Sequence, residues 1–209
     1  MNAANSTIDL AHVQLVRKAV LLAAVAACVL LLVFGESRWA GGGLPHETIE
    51  WTGIGLIVFC ILGRTWASIY IGGRKVRSLV RAGPYSVSRN PLYVFSVIGA
   101  AGAGAQMGSA ILALAAGLIA LLIFYAVVLK EEAALRDRFG AAYREYLATV
   151  PRFVPDWSLW QDAEKIEVRP QLIVRTFIDA CVFLLAIPLA EGFEWLHEAG
   201  YLTSLVLLP

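Results

Sequence analysis

Two short stretches of the chain concentrate the side chains able to do chemistry. The first, Gly83-Pro84-Tyr85-Ser86-Val87-Ser88-Arg89-Asn90-Pro91-Leu92-Tyr93, sets two phenols, a guanidinium and an amide between two hydrophobic runs. Turn chemistry explains part of it. Gly83-Pro84 is a turn signal, Pro91 suits a first helical turn and restricts Asn90 to extended geometry, and Asn90 is then a candidate N-cap. Tyr85, Arg89 and Tyr93 are left over. The second stretch starts with Glu131-Glu132 directly after an apolar run. It continues through Leu135, Phe139, Tyr143, Tyr146 and Leu147 at helical spacing, then closes on Pro151-Arg152-Phe153. Carboxylates at the end of an apolar run are costly without partners. Arg136, four residues past Glu132, offers one, and the basic 74–89 connection offers another. Such a set can hold an ammonium on a carboxylate, a carboxylate on an arginine, and flat rings or cations on aromatic faces.

The elements that must position these groups are hydrophobic. The chain is 59% hydrophobic with a mean hydropathy of +0.70, above the level of soluble domains. A membrane-crossing helix needs about 20 mostly apolar residues. Candidates are Ala19–Phe34 (starting as early as Val13), Trp51–Ile71, Leu92–Met107, Ala110–Leu129 and Leu172–Ala190. The third is short, about 24 Å by helical rise. Only Met107-Gly108-Ser109 separates it from the fourth, so the two form a hairpin that its Gly/Ala-rich sequence allows to close tightly. The fold class is therefore an all-α integral membrane protein, with about five transmembrane helices, a helical hairpin and an amphipathic helix lying at the cytoplasmic surface after the fourth span. Arg175 and Asp179 share one face of the fifth span and can pair.

Charge placement orients the chain. Arg74, Lys75, Arg77, Arg81 and Arg89 follow the second span without an acid, whereas Glu36, Glu47 and Glu50 dominate the first loop and Glu191, Glu194 and Glu198 follow the fifth span. The positive-inside rule then puts the N-terminus, the 72–91 connection and the 130–170 segment in the cytoplasm. The polar N-terminal stretch has no small-residue cleavage site, so the first run reads as a retained anchor. The expected divisions are 1–48, an anchor helix and outer loop; 49–160, a core; and 161–209, an additional span and tail. A net charge of +1 excludes a generally basic nucleic-acid binder. Cys28, Cys60 and Cys181 all sit in apolar runs, which argues for buried thiols and against a disulfide framework or a metal site. Gly99–Gly104 does not follow a strand, so it is read as a close-packing surface and not as a dinucleotide fingerprint.

Together, Gly83-Pro84-Tyr85…Arg89-Asn90-Pro91-Leu92-Tyr93, the hairpin, Glu131-Glu132…Leu135…Phe139-Gly140…Tyr143…Tyr146 and Pro151-Arg152-Phe153…Pro155 resemble the isoprenylcysteine carboxyl methyltransferase family and the related bacterial phospholipid methyltransferases, over about residues 50 to 157. One position departs from the family pattern: its usual histidine is Asn90, which cannot titrate near neutrality, so a base there is excluded and a positioning role remains. The resemblance implies S-adenosylmethionine as cofactor. It implies Tyr85, Asn90, Pro91, Leu92, Tyr93, Glu131, Glu132, Phe139 and Tyr143 as cofactor-binding residues, and Arg89, Arg152 and Glu132 as catalytic ones.

The activity expected from this resemblance is that of a membrane-embedded methyltransferase. Its acceptor would be a small hydrophobic or lipid molecule, a carboxylate or an amine, reached through the bilayer. Alanine richness and an excess of arginine over lysine suggest a bacterial inner membrane. Two alternatives stay open: an NADPH-dependent membrane oxidoreductase resembling sterol reductases, and a non-catalytic scaffold of the same fold. Arg64, inside the second span, is either functional or snorkels to the interface. His197, between Glu194 and Glu198, is expected on a solvated amphipathic turn. The tail packs over the core, lines a lipid entrance or forms a homo-oligomer contact.

Overall fold

The computed structural model describes residues 35–37, 43–71, 79–202 and 206–208. The first expected span, Cys28 and the basic residues Arg74, Lys75 and Arg77 lie outside these residues. The described chain is helical: α1 (Leu44–Ile71), α2 (Pro84–Val87), α3 (Pro91–Ala105), α4 (Ala110–Phe139), α5 (Ala141–Thr149), α6 (Pro170–Cys181) and α7 (Ala186–Glu198), with 3-10 turns at Trp157–Leu159 and Val182–Leu185. Gly35–Ser37 (β1) and Val206–Leu208 (β2) form one three-residue parallel pair. The fold class is that of an all-α membrane protein.

Three helical runs are long and apolar enough to cross a membrane: Leu44–Ile71, Ala110–Phe139 and Pro170–Glu198. Their outward residues are large and apolar, among them Phe59, Leu62, Leu114, Leu118, Leu122, Phe177, Ile178 and Leu185, which suits a lipid solvent and not water. α3, at 15 residues, spans only about 22 Å and is flanked by α1 and α4. Small residues make that packing possible. A Cβ on Gly102 would lie 2.7 Å from the carbonyl oxygen of Gly53, and one on Gly99 would lie 2.5 Å from Cys60 Sγ. The glycine-rich run is thus a helix-packing surface. Arg64 Nη1 donates to Ser96 Oγ across the α1–α3 contact. Ile57 and Ile61 of α1 form a core with Ala180 of α6. Arg175 and Asp179 do approach each other, at 4.0 Å, on an exposed face.

The segment after the fourth span follows it without a break. Helix α4 runs unbroken for 30 residues to Phe139, because nothing between Leu129 and Gly140 breaks a helix and Ala133, Ala134, Leu135 and Arg136 all favour one. The chain turns only at Gly140, at φ 56°. By helical rise, Ala110–Leu129 covers about 30 Å and the rest of α4 extends about 15 Å further. The chemistry-bearing residues sit on that extension and on α5, which folds back beside it.

Candidate functional site

The stretch 82–93 is held by its backbone. Gly83 sits at φ 59°, and a Cβ there would fall 2.2 Å from the Tyr70 ring, so the turn accepts only glycine. Gly83 N donates to Gln161 O at 2.7 Å, Arg89 N to Pro151 O at 2.9 Å, and Asp156 N to Val87 O at 3.0 Å. Ser88 Oγ adds a bond to Phe153 O at 3.1 Å, and Tyr146 donates its hydroxyl to Tyr85 O at 2.6 Å. The stretch 150–161 therefore straps the first motif down. Stacking of Trp160 on Trp66, with ring centroids 5.8 Å apart, anchors the strap to α1.

Asn90 occupies the N-cap position of α3 without capping it. Its side chain makes no bond to the helix start, and its Nδ2 donates to Arg152 O at 3.2 Å instead. Of the two partners the sequence offers Glu132, the basic connection supplies one, through Arg89, in place of Arg136. Glu132, buried at 3% exposure, accepts from Arg89 Nε at 3.1 Å. It also accepts from Arg152 Nε at 3.2 Å to each oxygen and from Arg152 Nη2 at 2.9 Å. Arg89 Nη1 donates in turn to the carbonyls of Leu147 and Val150, at 2.7 and 3.0 Å. One carboxylate thus ties together α4, the start of α3 and the segment after α5. A buried ion pair is tolerable only with such additional hydrogen bonds.

Beside this triad opens a cleft that is partly open to solvent. Ile71, Leu79, Val80, Leu92 and Leu135 form its apolar wall; Tyr85, Arg89, Asn90, Tyr93, Glu131, Glu132, Phe139, Tyr143 and Tyr146 supply the rest. Tyr93 donates its hydroxyl to Glu131 Oε1 at 2.9 Å. The Tyr85 hydroxyl is buried without a hydrogen-bond partner among the described residues. Burial pushes its pKa well above the usual phenol value, and Tyr146 and Glu131 add to the rise. Burial, then the Glu132 charge, raises the Tyr143 phenol to about 12. These phenols are neutral donors at physiological pH.

Of the residues named from sequence, the cleft unites Tyr85, Arg89, Asn90, Leu92, Tyr93, Glu131, Glu132, Phe139 and Tyr143. Pro91 is buried in the first turn of α3. Arg152 touches the cleft only through Glu132, its guanidinium lying over the Tyr125 ring at 5.4 Å on the far side. Sequence reasoning leaves Tyr146 and Leu135 unassigned, although both stand at motif positions. It also misses Ile71, Leu79 and Val80, whose apolar character carries no distinguishing signal.

A helical hairpin of apolar surface, with both motif stretches gathered into one cleft at its open end, defines an integral membrane protein with a candidate small-molecule cleft. Residues 51–142 match the phospholipid methyltransferase family. The chain is 33% identical over 177 residues to the cobalt-zinc-cadmium resistance protein CzcN of Cupriavidus metallidurans, covering 85% of this chain and 81% of that one. It is 31% identical over 185 residues to the nickel-cobalt-cadmium resistance protein NccN of Alcaligenes xylosoxydans xylosoxydans, covering 88% and 86% respectively. The chain belongs to the phospholipid methyltransferase family. No solved structure matches it significantly.

Proposed function

We propose that the chain is an S-adenosylmethionine-dependent methyltransferase whose acceptor is a lipid or lipid-like carboxylate or amine drawn from the bilayer. The observation that carries this reading is the cleft itself. An unpartnered buried phenol, a tyrosine–glutamate pair and the rings of Phe139 and Tyr143 converge beside helices with lipid-type surfaces. S-adenosylmethionine supplies a methyl group on a sulfonium, with a neutral thioether as leaving group. The donor set fits it. Glu131 suits the ammonium of its amino-acid part, the Tyr85 hydroxyl offers an unused donor, and aromatic faces suit both the adenine and the sulfonium.

Glu132 has a different task from the one its position in the sequence suggests. Both its oxygens are already occupied by guanidinium donors, so it orients Arg89 at the cleft and Arg152 behind it. Arg152 is the less buried of the two, its side chain 30% exposed, and it stands beside Tyr125 and Phe153 where an anionic acceptor can meet it. Methyl transfer is an in-line displacement, so alignment and exclusion of water carry the acceleration. Leu92, Leu135 and Ile71 do the excluding. A carboxylate acceptor needs no base; an amine acceptor loses its proton to Glu131 or to water. Asn90 holds the 152 carbonyl and cannot act as a base.

The basic residues of the 72–91 connection support a cleft facing the cytoplasm, and the arginine-rich composition supports a bacterial inner membrane. The metal-resistance names of the two relatives support placing the reaction in tolerance to divalent metals. The test is ligand stabilisation of the purified chain. S-adenosylmethionine and S-adenosylhomocysteine are expected to raise its Tm while NADPH does not. Stabilisation by NADPH alone, or by none of the three, overturns the proposal.

A further inference from the structure

At the other end of α1 from the cleft lies a second group of side chains, which the methyltransferase reading does not use. His46 and Ile71 are separated by about 37 Å along the helix axis by its rise per residue, so the two places do not share a ligand. His46 Nε2 lies 3.2 Å from Glu50 Oε1, one turn on along α1, and 3.2 Å from Glu194 Oε1 on α7. The imidazole is 5% exposed and fixed in a notch that Gly108 leaves open. A Cβ at Gly108 would fall 1.8 Å from His46 Nδ1, and the glycine itself sits at φ 60°. Nδ1 is buried with no hydrogen-bond partner among the described residues, so Nε2 is the ring atom turned to the carboxylates.

Two carboxylate oxygens 3.2 Å from one nitrogen can share its hydrogen only in a weaker three-centre bond. Nε2 carries at most one hydrogen in any protonation state, and a single hydrogen cannot point along both vectors. A cation in place of that hydrogen satisfies all three atoms. Tetrahedral coordination at nitrogen and oxygen distances of about 2.0–2.2 Å puts neighbouring ligand atoms about 3.3–3.5 Å apart, close to the 3.2 Å separations seen. The ligand atoms all lie within 4.8 Å of one another, and Glu50 and Glu194, with side chains 29% and 37% exposed, have room to close. Glu191 and Glu198, three residues before and four after Glu194 on α7, share its helix face and favour cation approach.

We propose that His46, Glu50 and Glu194 bind one divalent transition cation, with a water completing the coordination. One imidazole with two carboxylates suits zinc or cobalt; calcium and magnesium prefer all-oxygen shells. The site links the start of α1 to α7 and so couples the C-terminal span to the hairpin core, beneath which Met107, Leu112 and Ala190 pack together. It is independent of the methyl-transfer proposal.

The test is titration of the purified full chain with Co²⁺, read by the strong visible absorption of four-coordinate cobalt, and with Zn²⁺, read by Tm. One equivalent of Co²⁺ is expected to bind with that absorption and Zn²⁺ to raise Tm. His46→Ala is expected to abolish both, and Glu194→Gln to weaken Co²⁺ binding at least tenfold while leaving S-adenosylhomocysteine stabilisation intact. Should His46→Ala fail to fold, Glu194→Gln, at a partly exposed position, carries the test alone. Absence of saturable binding, or binding unchanged in Glu194→Gln, overturns the proposal and leaves a purely structural histidine–carboxylate contact.

Discussion

Arg89 donates its Nε to Glu132 Oε1 over 3.1 Å, with the two side chains only 9% and 5% exposed. The pair joins the two motif stretches at the point where the hairpin opens. Breaking such a buried pair by removing one partner costs about 3–5 kcal/mol, because a charge is left uncompensated. Glu132→Ala strands two guanidiniums and is expected to lose about that much stability in denaturation of the detergent-solubilised protein. Arg152→Ala is expected to lose clearly less, since its side chain is 30% exposed and partly screened. An unchanged Tm in Glu132→Ala contradicts the triad.

Glu131 and Glu132 are adjacent in sequence but are assigned separate tasks. Glu131→Gln removes the charge offered to the cofactor's ammonium while keeping an acceptor for Tyr93. Hydrogen bonds to charged groups contribute about 1.5–3 kcal/mol, so S-adenosylhomocysteine affinity is expected to fall at least tenfold at nearly wild-type Tm. Calorimetric titration measures it, and wild-type affinity would remove Glu131 from the cofactor site.

Close approach of α1 and α3 depends on Gly53 and Gly102. In Gly102→Leu the new side chain meets the Gly53 carbonyl, whose distance from a Cβ is already 2.7 Å. The helices must then separate or strain, at a cost of about 1–3 kcal/mol, with Tm as the readout. A variant as stable as the parent would show that the contact has slack.

Tyr143 sets an alkaline limit. Its folded pKa, about 12, exceeds the unfolded value of about 10, so the folded state holds its proton more tightly. The associated stability is fully present below about pH 10 and is lost as pH rises through the folded pKa of about 12. Tyr143→Phe is expected to flatten that part of a Tm–pH profile. Identical alkaline profiles for parent and variant contradict the assignment.

Much of the site is legible in the sequence because it rests on local chemistry. Gly83-Pro84 and Asn90-Pro91 announce a turn and a helix start, the Met107-Gly108-Ser109 link announces the hairpin, and two acids after an apolar run announce a buried partner among basic residues upstream. Where sequence reasoning fails, long-range geometry decides. Asn90 has the residue type and position of a cap for α3, but the strap at 150–161 brings the Arg152 carbonyl closer to its amide. The amphipathic pattern of Leu135, Phe139 and Tyr143 is the same on both sides of Gly140, so it does not reveal that the chain turns there and folds back as α5. His46 carries no local signal because Glu194 is distant in sequence and reaches it only through the packing of α7 against the hairpin.

The central claim is methyl transfer, and radiolabel reports it directly. Purified protein would be incubated with methyl-labelled S-adenosylmethionine and a bacterial membrane lipid extract, and the extracted lipids separated. The account predicts label in a discrete lipid-soluble product, lost in Glu131→Gln at cofactor concentrations that saturate the parent poorly. Stabilisation by S-adenosylhomocysteine with no labelled product in the lipid fraction would contradict a lipid acceptor, and unlabelled lipid with no cofactor stabilisation would contradict the methyltransferase account altogether.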